Sequence, residues 1–195
     1  MKIIRSIYIL LLNYLIHIRF WFKKGASIKR SVVFYKRPLI ILHKKAVIQI
    51  ERNVSINSDN HTYHLNMFQH CKLMADLEGA LIQIGENTRV HGSCIHAQKS
   101  IRIGKNCLIA ANCQIMDNNG HSLSSNTSEL RIQTRGESKP IIIEDNVWIG
   151  TGVIVLPGVQ IGEGSVIGAN SVVSINIPKN SLAMGNPIQI IKSIA

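Results

Sequence analysis

From residue 141 onward the chain counts in sixes. Ile143, Ile149, Val155, Ile161, Ile167 and Val173 follow one another at six-residue steps. Four places after each stands a small or branched residue: Val147, Val153, Val159, Ser165, Ser171 and Ile177. The same phase runs upstream through Ile103, Ile109 and Ile115, with Cys107 and Cys113 in the fourth place. It continues through Ile84 and Val90, and more faintly through Ile50 and Ile56. Strand alternation repeats every two residues and an amphipathic helix about every 3.6, so six fits neither. It fits short flat strands joined by tight corners, with one aliphatic side chain turned inward per side. Such coils bury their apolar residues only by stacking on one another, which is the definition of a solenoid. Composition agrees: 46% of residues are hydrophobic but only 5% aromatic. A core of Ile, Val, Leu and Ala suits thin layers of strands.

Two stretches break the count. Residues 57–83 are polar and off-phase. Ile115 to Ile143 is 28 residues, not a multiple of six, so residues 117–140 (DNNGHSLSSNTSELRIQTRGESKP) are expected to leave the coil as a loop. Loops projecting from a rigid scaffold are where function concentrates.

Charge is confined to one end. The formal net charge is +11, and residues 1–50 hold eleven basic and no acidic residues. Glu51 is the first acid, and residues 51–195 carry eleven of each sign. A nucleic-acid binder with a basic working surface would not place its charge this way, so no nucleic-acid partner is expected. Within the basic quarter, residues 3–22 (IIRSIYILLLNYLIHIRFWF) form the strongest apolar run. No small-residue cleavage site follows it. Its charge-free part, Ser6 to Ile18, is 13 residues long, short of the roughly 20 that span a bilayer. On a helix turning about 100° per residue, Lys2, Arg5, Ser6, Asn13, His17, Lys23 and Lys24 share one sector and the opposite side is apolar. That pattern suits a helix lying in a membrane interface, with the later bases meeting anionic headgroups at roughly 1 kcal/mol each. A spanning helix, and a helix packed on the body or in an oligomer seam, are the alternatives. Residues 1–30 are thus expected as an amphipathic, membrane-associated helix and 31–195 as the β-helical domain. Cys71, Cys94, Cys107 and Cys113 make no CxxC pair and read as small buried thiols of a reducing cytoplasm.

Beyond the bare repeat, the chain from about residue 80 to 192 carries an ordered set of motifs. NCQIMDNNGHSL spans 112–123, a VWIG coil begins at Val147, and IPKNSLAMGNP closes the segment within 141–192. In these it resembles the hexapeptide-repeat acetyltransferases, especially the galactoside/maltose and polysaccharide O-acetyltransferase branch; nothing before residue 45 matches. The resemblance implies a left-handed parallel β-helix and a homotrimer with active sites between neighbouring subunits. It implies acetyl-CoA as co-substrate, with no permanently bound cofactor and no metal. CoA would lie along the coils, with Trp148, Gly150 and Thr151 lining its pantetheine and acetyl end. Gly168 and Ala169 would offer backbone groups, with Ser174 nearby. Gly185, Asn186 and Pro187 would close over the adenine side, and Lys192 would meet a phosphate.

Acetyl transfer to a hydroxyl needs a base for the alcohol proton and donors for the thioester oxyanion. Histidine suits the first task because its ordinary pKa lies near neutrality. His121, after Gly120 in the polar loop, matches the family's catalytic histidine. Asp117 either orients its ring, binds the acceptor or is a solvated turn carboxylate; Asn118 and Asn119 are candidate hydroxyl binders. Direct transfer is expected, without an acyl-enzyme. Trimers of this fold also hold zinc in the γ-class carbonic anhydrases, and His91, His96 and His121 invite that comparison. There the close pair follows the distant histidine, whereas here it precedes it. His61, His64 and His70 read as surface or acceptor-site residues. The expectation is therefore O-acetylation of a sugar hydroxyl in capsule, exopolysaccharide or O-antigen synthesis. The saccharide acceptor would be lipid-linked, at the cytoplasmic face of the cell membrane. N-acetylation of an amino sugar is the alternative.

Overall fold

The computed structural model describes residues 2–123 and 125–194. Three parallel sheets run through the molecule, and successive strands visit them in turn. The first sheet stacks Ala26–Ile28, Val47–Ile50, Leu81–Ile84, Ser100–Ile103, Ile141–Ile143 and Gln160–Ile161. The second stacks Val33–Tyr35, Ser55–Asn57, Arg89–His91, Leu108–Ile109, Trp148–Ile149, Val166–Ile167 and Ser181–Met184. The third stacks Leu39–Leu42, Lys72–Ala75, Cys94–Ala97, Gln114–Met116, Ile154–Val155 and Val172–Val173. The final strand, Gln189–Ser193, folds back antiparallel on Ser181–Met184.

Register explains the period. Ile50, Ile84, Ile103, Ile143 and Ile161 lie directly over one another in the first sheet. Ile56, Val90, Ile109, Ile149, Ile167 and Ala183 do so in the second. Leu73, Ile95, Ile115, Val155 and Val173 complete the third. All are buried, so each coil seals the next. The polar segment 57–83 is less of an interruption than its sequence suggests. Lys72–Ala75 and Leu81–Ile84 sit in register with their neighbours, and only the stretch between Asn57 and Lys72 departs. Leu73 and Ala75 point inward by simple alternation, without the six-step signature.

One corner of the coil is built on asparagine. Asn53, Asn87, Asn106 and Asn146 adopt φ of 55–61°, the left-handed region that asparagine tolerates better than other side-chain-bearing residues. Their amides bond in a column: Asn53 donates to Asn87 (3.2 Å), Asn87 to Asn106 (3.1 Å) and Asn106 to Asn146 (3.1 Å). Asn146 donates onward to Glu163 at 3.1 Å.

The N-terminal helix, Lys2–Trp21, lies against the first coil. Its polar sector faces the protein. The Asn13 side chain accepts from Phe34 N at 2.7 Å and donates to Phe34 O at 3.0 Å; His17 Nε2 bonds Val32 O at 3.0 Å. Arg5 pairs with Asp59 at 2.9 Å. Ile16 and Phe20 are buried on the same stripe. Arg5, Asn13 and His17 of that sector are thus bonded to the body, because the first coil's edge strand offers backbone groups that a polar stripe satisfies, whereas Lys23 and Lys24 follow the helix end and Lys24 is exposed. The side chain of Lys2, assigned to that sector, lies outside the described residues.

Candidate active site

A cleft of about 690 Å³ opens on the second sheet. Its floor is Leu108, Trp148 and Val166, stacked at one register position and running up to Arg89. Trp148 is 54% exposed, an unusual position for the largest aromatic unless something lies on it. Beside this column run Gly150, Thr151, Gly168 and Ala169. A side chain at Gly150 would stand 2.7 Å from Ala169 N, and one at Gly168 2.7 Å from Met184 Cβ. Glycine there lets successive coils close up and leaves a backbone-lined trough. The Thr151 hydroxyl donates to Ala111 O at 2.7 Å.

The upstream end of the cleft is lined by His64, read from sequence as a surface or acceptor-site residue, by His91, weighed there as a metal ligand, and by Tyr63, Leu65 and Arg89, which sequence reasoning left aside. Tyr63 stacks on His91, with ring centroids 4.5 Å apart at 23°, and the His64 ring lies 4.6 Å from it, tilted by 45°. Burial lowers the His91 pKa, helped by the charges of Arg89 and His64 and opposed by its bond to the Ile109 carbonyl. His91 is therefore a neutral ring at pH 7, its Nδ1–H donated to that carbonyl. Burial likewise pushes the Tyr63 phenol up. The loop from Ser58 to Cys71 brings Tyr63 here and is held by paired bonds, Asn60 with Met67 and Asn112 with Asn66 and Phe68. The imidazoles of the off-phase stretch, read as surface or acceptor-site residues, hint at this; their partner, His91, is weighed in sequence only as a metal ligand.

Residues 117–140 do leave the coil, after the strand Gln114–Met116 of the third sheet, and carry His121 on the protein's surface. The loop is tied. Lys139 N donates to Asp117 O (2.8 Å), Gly136 N to Gly120 O (3.1 Å), and Ser122 N to the Thr134 hydroxyl (2.9 Å). A 3₁₀ segment, Ser125–Gln133, crosses its tip. His121 Nδ1 lies 3.0 Å from Arg131 O. A carbonyl only accepts, so Nδ1 carries the hydrogen and Nε2 is left as the basic nitrogen.

Asp117 differs from expectation. It is fully buried, and its two oxygens accept from Gln98 N (2.7 Å) and Lys99 N (2.8 Å) of the preceding coil. It neither touches the His121 ring nor reaches solvent; the turn it secures has two backbone donors that need an acceptor. Asn118 is also buried and accepts from Gly120 N at 3.0 Å, while Asn119 O accepts from His121 N at 2.8 Å. Together they shape the backbone that presents the histidine. Of the downstream residues, Ser174, Gly185, Asn186, Pro187 and Lys192 are exposed and lie outside the cleft. The bond from Asn186 to Pro187 is cis, and Gly185 has φ of 107°.

The histidines weighed as metal ligands are apart. His91 serves the cleft, whereas His96 bonds Asp76 at 3.0 Å on the third sheet. Among the described residues no three His, Cys, Asp or Glu gather to hold an ion. Burial raises the pKa of every cysteine thiol, that of Cys113 to about 11. All four are protonated and inert at neutral pH.

Comparison with known proteins places this architecture. Residues 140–174 match the bacterial transferase hexapeptide model and residues 82–116 the hexapeptide repeat of succinyl-transferase. A maltose O-acetyltransferase from Clostridium difficile is 36% identical, covering 65% of this chain and 67% of that one, with a TM-score of 0.55. A galactoside acetyltransferase solved with coenzyme A is 41% identical over 58% of this chain and 56% of that chain, TM-score 0.54. A Schizosaccharomyces pombe protein named as a candidate acetyltransferase is 49% identical over 98 residues, 48% of this chain and 44% of that protein. The chain belongs to the hexapeptide-repeat acetyltransferase family. It spans about half the length of the curated relatives it matches.

Proposed function

We propose that the protein is an acetyl-CoA-dependent O-acetyltransferase acting on a sugar hydroxyl, built as a left-handed β-helix and working as a homotrimer. The observation that carries this reading is the His121 ring, whose Nδ1–H is fixed by the Arg131 carbonyl so that Nε2 is the basic atom. The acceptor hydroxyl attacks the thioester carbonyl while Nε2 takes its proton. The oxyanion collapses, the C–S bond breaks, and the imidazolium returns the proton to the departing CoA thiolate. Four protonated thiols supply no competing nucleophile, which favours direct transfer.

The cofactor lies in the trough over Trp148, with pantetheine along Gly150, Thr151, Gly168 and Ala169, as coenzyme A accompanies the galactoside acetyltransferase. The acceptor occupies the end lined by Tyr63, Arg89 and His91, where an aromatic face and polar edges suit a pyranose. His121 leaves the third sheet, whereas this cleft opens on the second. A neighbouring copy's loop completes the site, which is why a trimer is part of the reading.

The test incubates the enzyme with acetyl-CoA and neutral, nucleotide-linked and lipid-linked sugars, amino sugars included. A product ester cleaved by hydroxylamine supports O-acetylation. A hydroxylamine-stable amide would assign N-acetylation instead, and a monomer by light scattering with full activity would remove the shared site.

A further inference from the structure

The N-terminal helix is long and apolar enough to cross a membrane by length and composition, yet its attachment to the coil dictates another arrangement. Arg5, Asn13, Ile16, His17 and Phe20 make one stripe that is bonded or packed to the body. These anchors extend over about 22 Å of helix at 1.5 Å per residue. Spanning a bilayer would strip all of them away. The opposite stripe is largely exposed: Ile3, Ile4, Leu10, Tyr14 and Trp21, with Phe22 just past the helix end, are 64–82% exposed. A contiguous apolar face of this size is not left to water without an occupant.

Charge identifies the occupant. A groove of about 900 Å³ along one flank is walled by Tyr14, Ile18, Trp21 and Phe22 and edged by Arg30. The groove on the other flank is edged by Arg19, Lys23 and Arg37. Exposed Lys24, Lys29 and Lys44 extend the same field, and no acidic residue precedes Glu51 in the sequence. Apolar and aromatic side chains projecting outward between rows of bases match an anionic lipid surface: acyl chains below, phosphates at the rim. A seam between copies of this chain would instead oppose like charges.

We infer that this helix docks the protein on anionic bilayers, lying in the interface plane with its apolar face down and its polar face bolted to the first coil. The helix is a built-in foot, its apolar face toward the acyl chains and its Arg5, Asn13 and His17 stripe toward the first coil. It also has a short link to the cleft. Asp59, which pairs with Arg5 and Lys36, precedes Tyr63 by four residues on the same loop, at most about 15 Å of chain. The inference stands without the acyl-transfer reading and is tested without acetyl-CoA.

Flotation of the full chain is measured with vesicles of phosphatidylcholine alone and of phosphatidylcholine with phosphatidylglycerol. The wild type is expected to float with the anionic vesicles, and to detach as salt rises from about 0.05 to about 0.5 M. Leu10→Glu with Leu11→Glu, on the exposed face, should cut partitioning at least ~100-fold with an unchanged melting temperature. Lys23→Gln with Lys24→Gln and Arg30→Gln should abolish the preference for the anionic lipid. Failure of the wild type to float, or undiminished flotation of the Glu pair, overturns the inference. So does a fall in the mass of the Glu pair by light scattering without any vesicle binding by the wild type, which would assign the face to a second copy.

Discussion

The coils and the loops that leave them are held by different physics. In the coils each position answers to a neighbour one turn away: Ile109 lies between Val90 and Ile149, and Asn106 between Asn87 and Asn146. In the loops the ties are individual bonds with no repeating partner, such as Asn60 with Met67, Asn112 with Phe68 or His121 with Arg131, and large side chains are free to face outward. Leu123 is 79% exposed, while Ile109 is fully buried. Regular stacking makes a rigid wall, and the loops use that wall to hold Tyr63 and His121 in place.

The largest expected effect lies in the coil. Ile109→Ala should cost about 2–5 kcal/mol in urea denaturation, because the stack relaxes poorly around a missing side chain. Leu123→Ala should change stability by less than about 0.5 kcal/mol; equal costs would break the contrast. Next comes the asparagine corner. Asn106→Ala loses two amide bonds and must hold φ of 55° with a Cβ, a loss of about 1–2 kcal/mol, with Asn106→Gly recovering part of it. Trp148→Ala should raise KM for acetyl-CoA about ten-fold, or ~1.4 kcal/mol, without moving the melting temperature. A drop in melting temperature instead would make Trp148 a packing residue.

A smaller loss than these belongs to the joint between helix and loop, above only the Leu123→Ala control. Burial alone would raise the Asp59 pKa. The backbone bond from His61 and the charges of Lys36 and Arg5 overcome this and hold it below its ordinary 3.8. A depressed carboxyl contributes stability that is complete above its unfolded pKa and lost as pH falls through the folded value. Asp59→Asn should therefore lower stability by about 0.5–1 kcal/mol at pH 7. That difference should shrink as pH falls below 3.8 and be lost once Asp59 is protonated in the folded protein too.

What the sequence made legible follows the same division. The six-step pattern located the strands because stacking demands one residue type at a fixed interval. The asparagine corner has a signal of the same kind that the six-step count passes over: Asn53, Asn87, Asn106 and Asn146 each precede the small residue of their coil, Val54, Thr88, Cys107 and Val147. Other features had no such signal. Helical periodicity sorted the N-terminal residues into two faces correctly but could not say which face the body takes. Asp117 fitted a ring orienter, an acceptor binder or a solvated turn carboxylate equally, and only the neighbouring turn at Gln98 and Lys99 explains its burial. The stack of Tyr63 on His91 joins residues 28 positions apart, a relation that no local pattern encodes.

The most direct test is acceptor-dependent thiol release from acetyl-CoA by wild type and His121→Ala, with CoA binding and oligomeric mass measured on both. Loss of about 10²–10⁴ in turnover with binding and mass intact is the predicted result. Turnover that survives the substitution would contradict the assignment of His121 as the base.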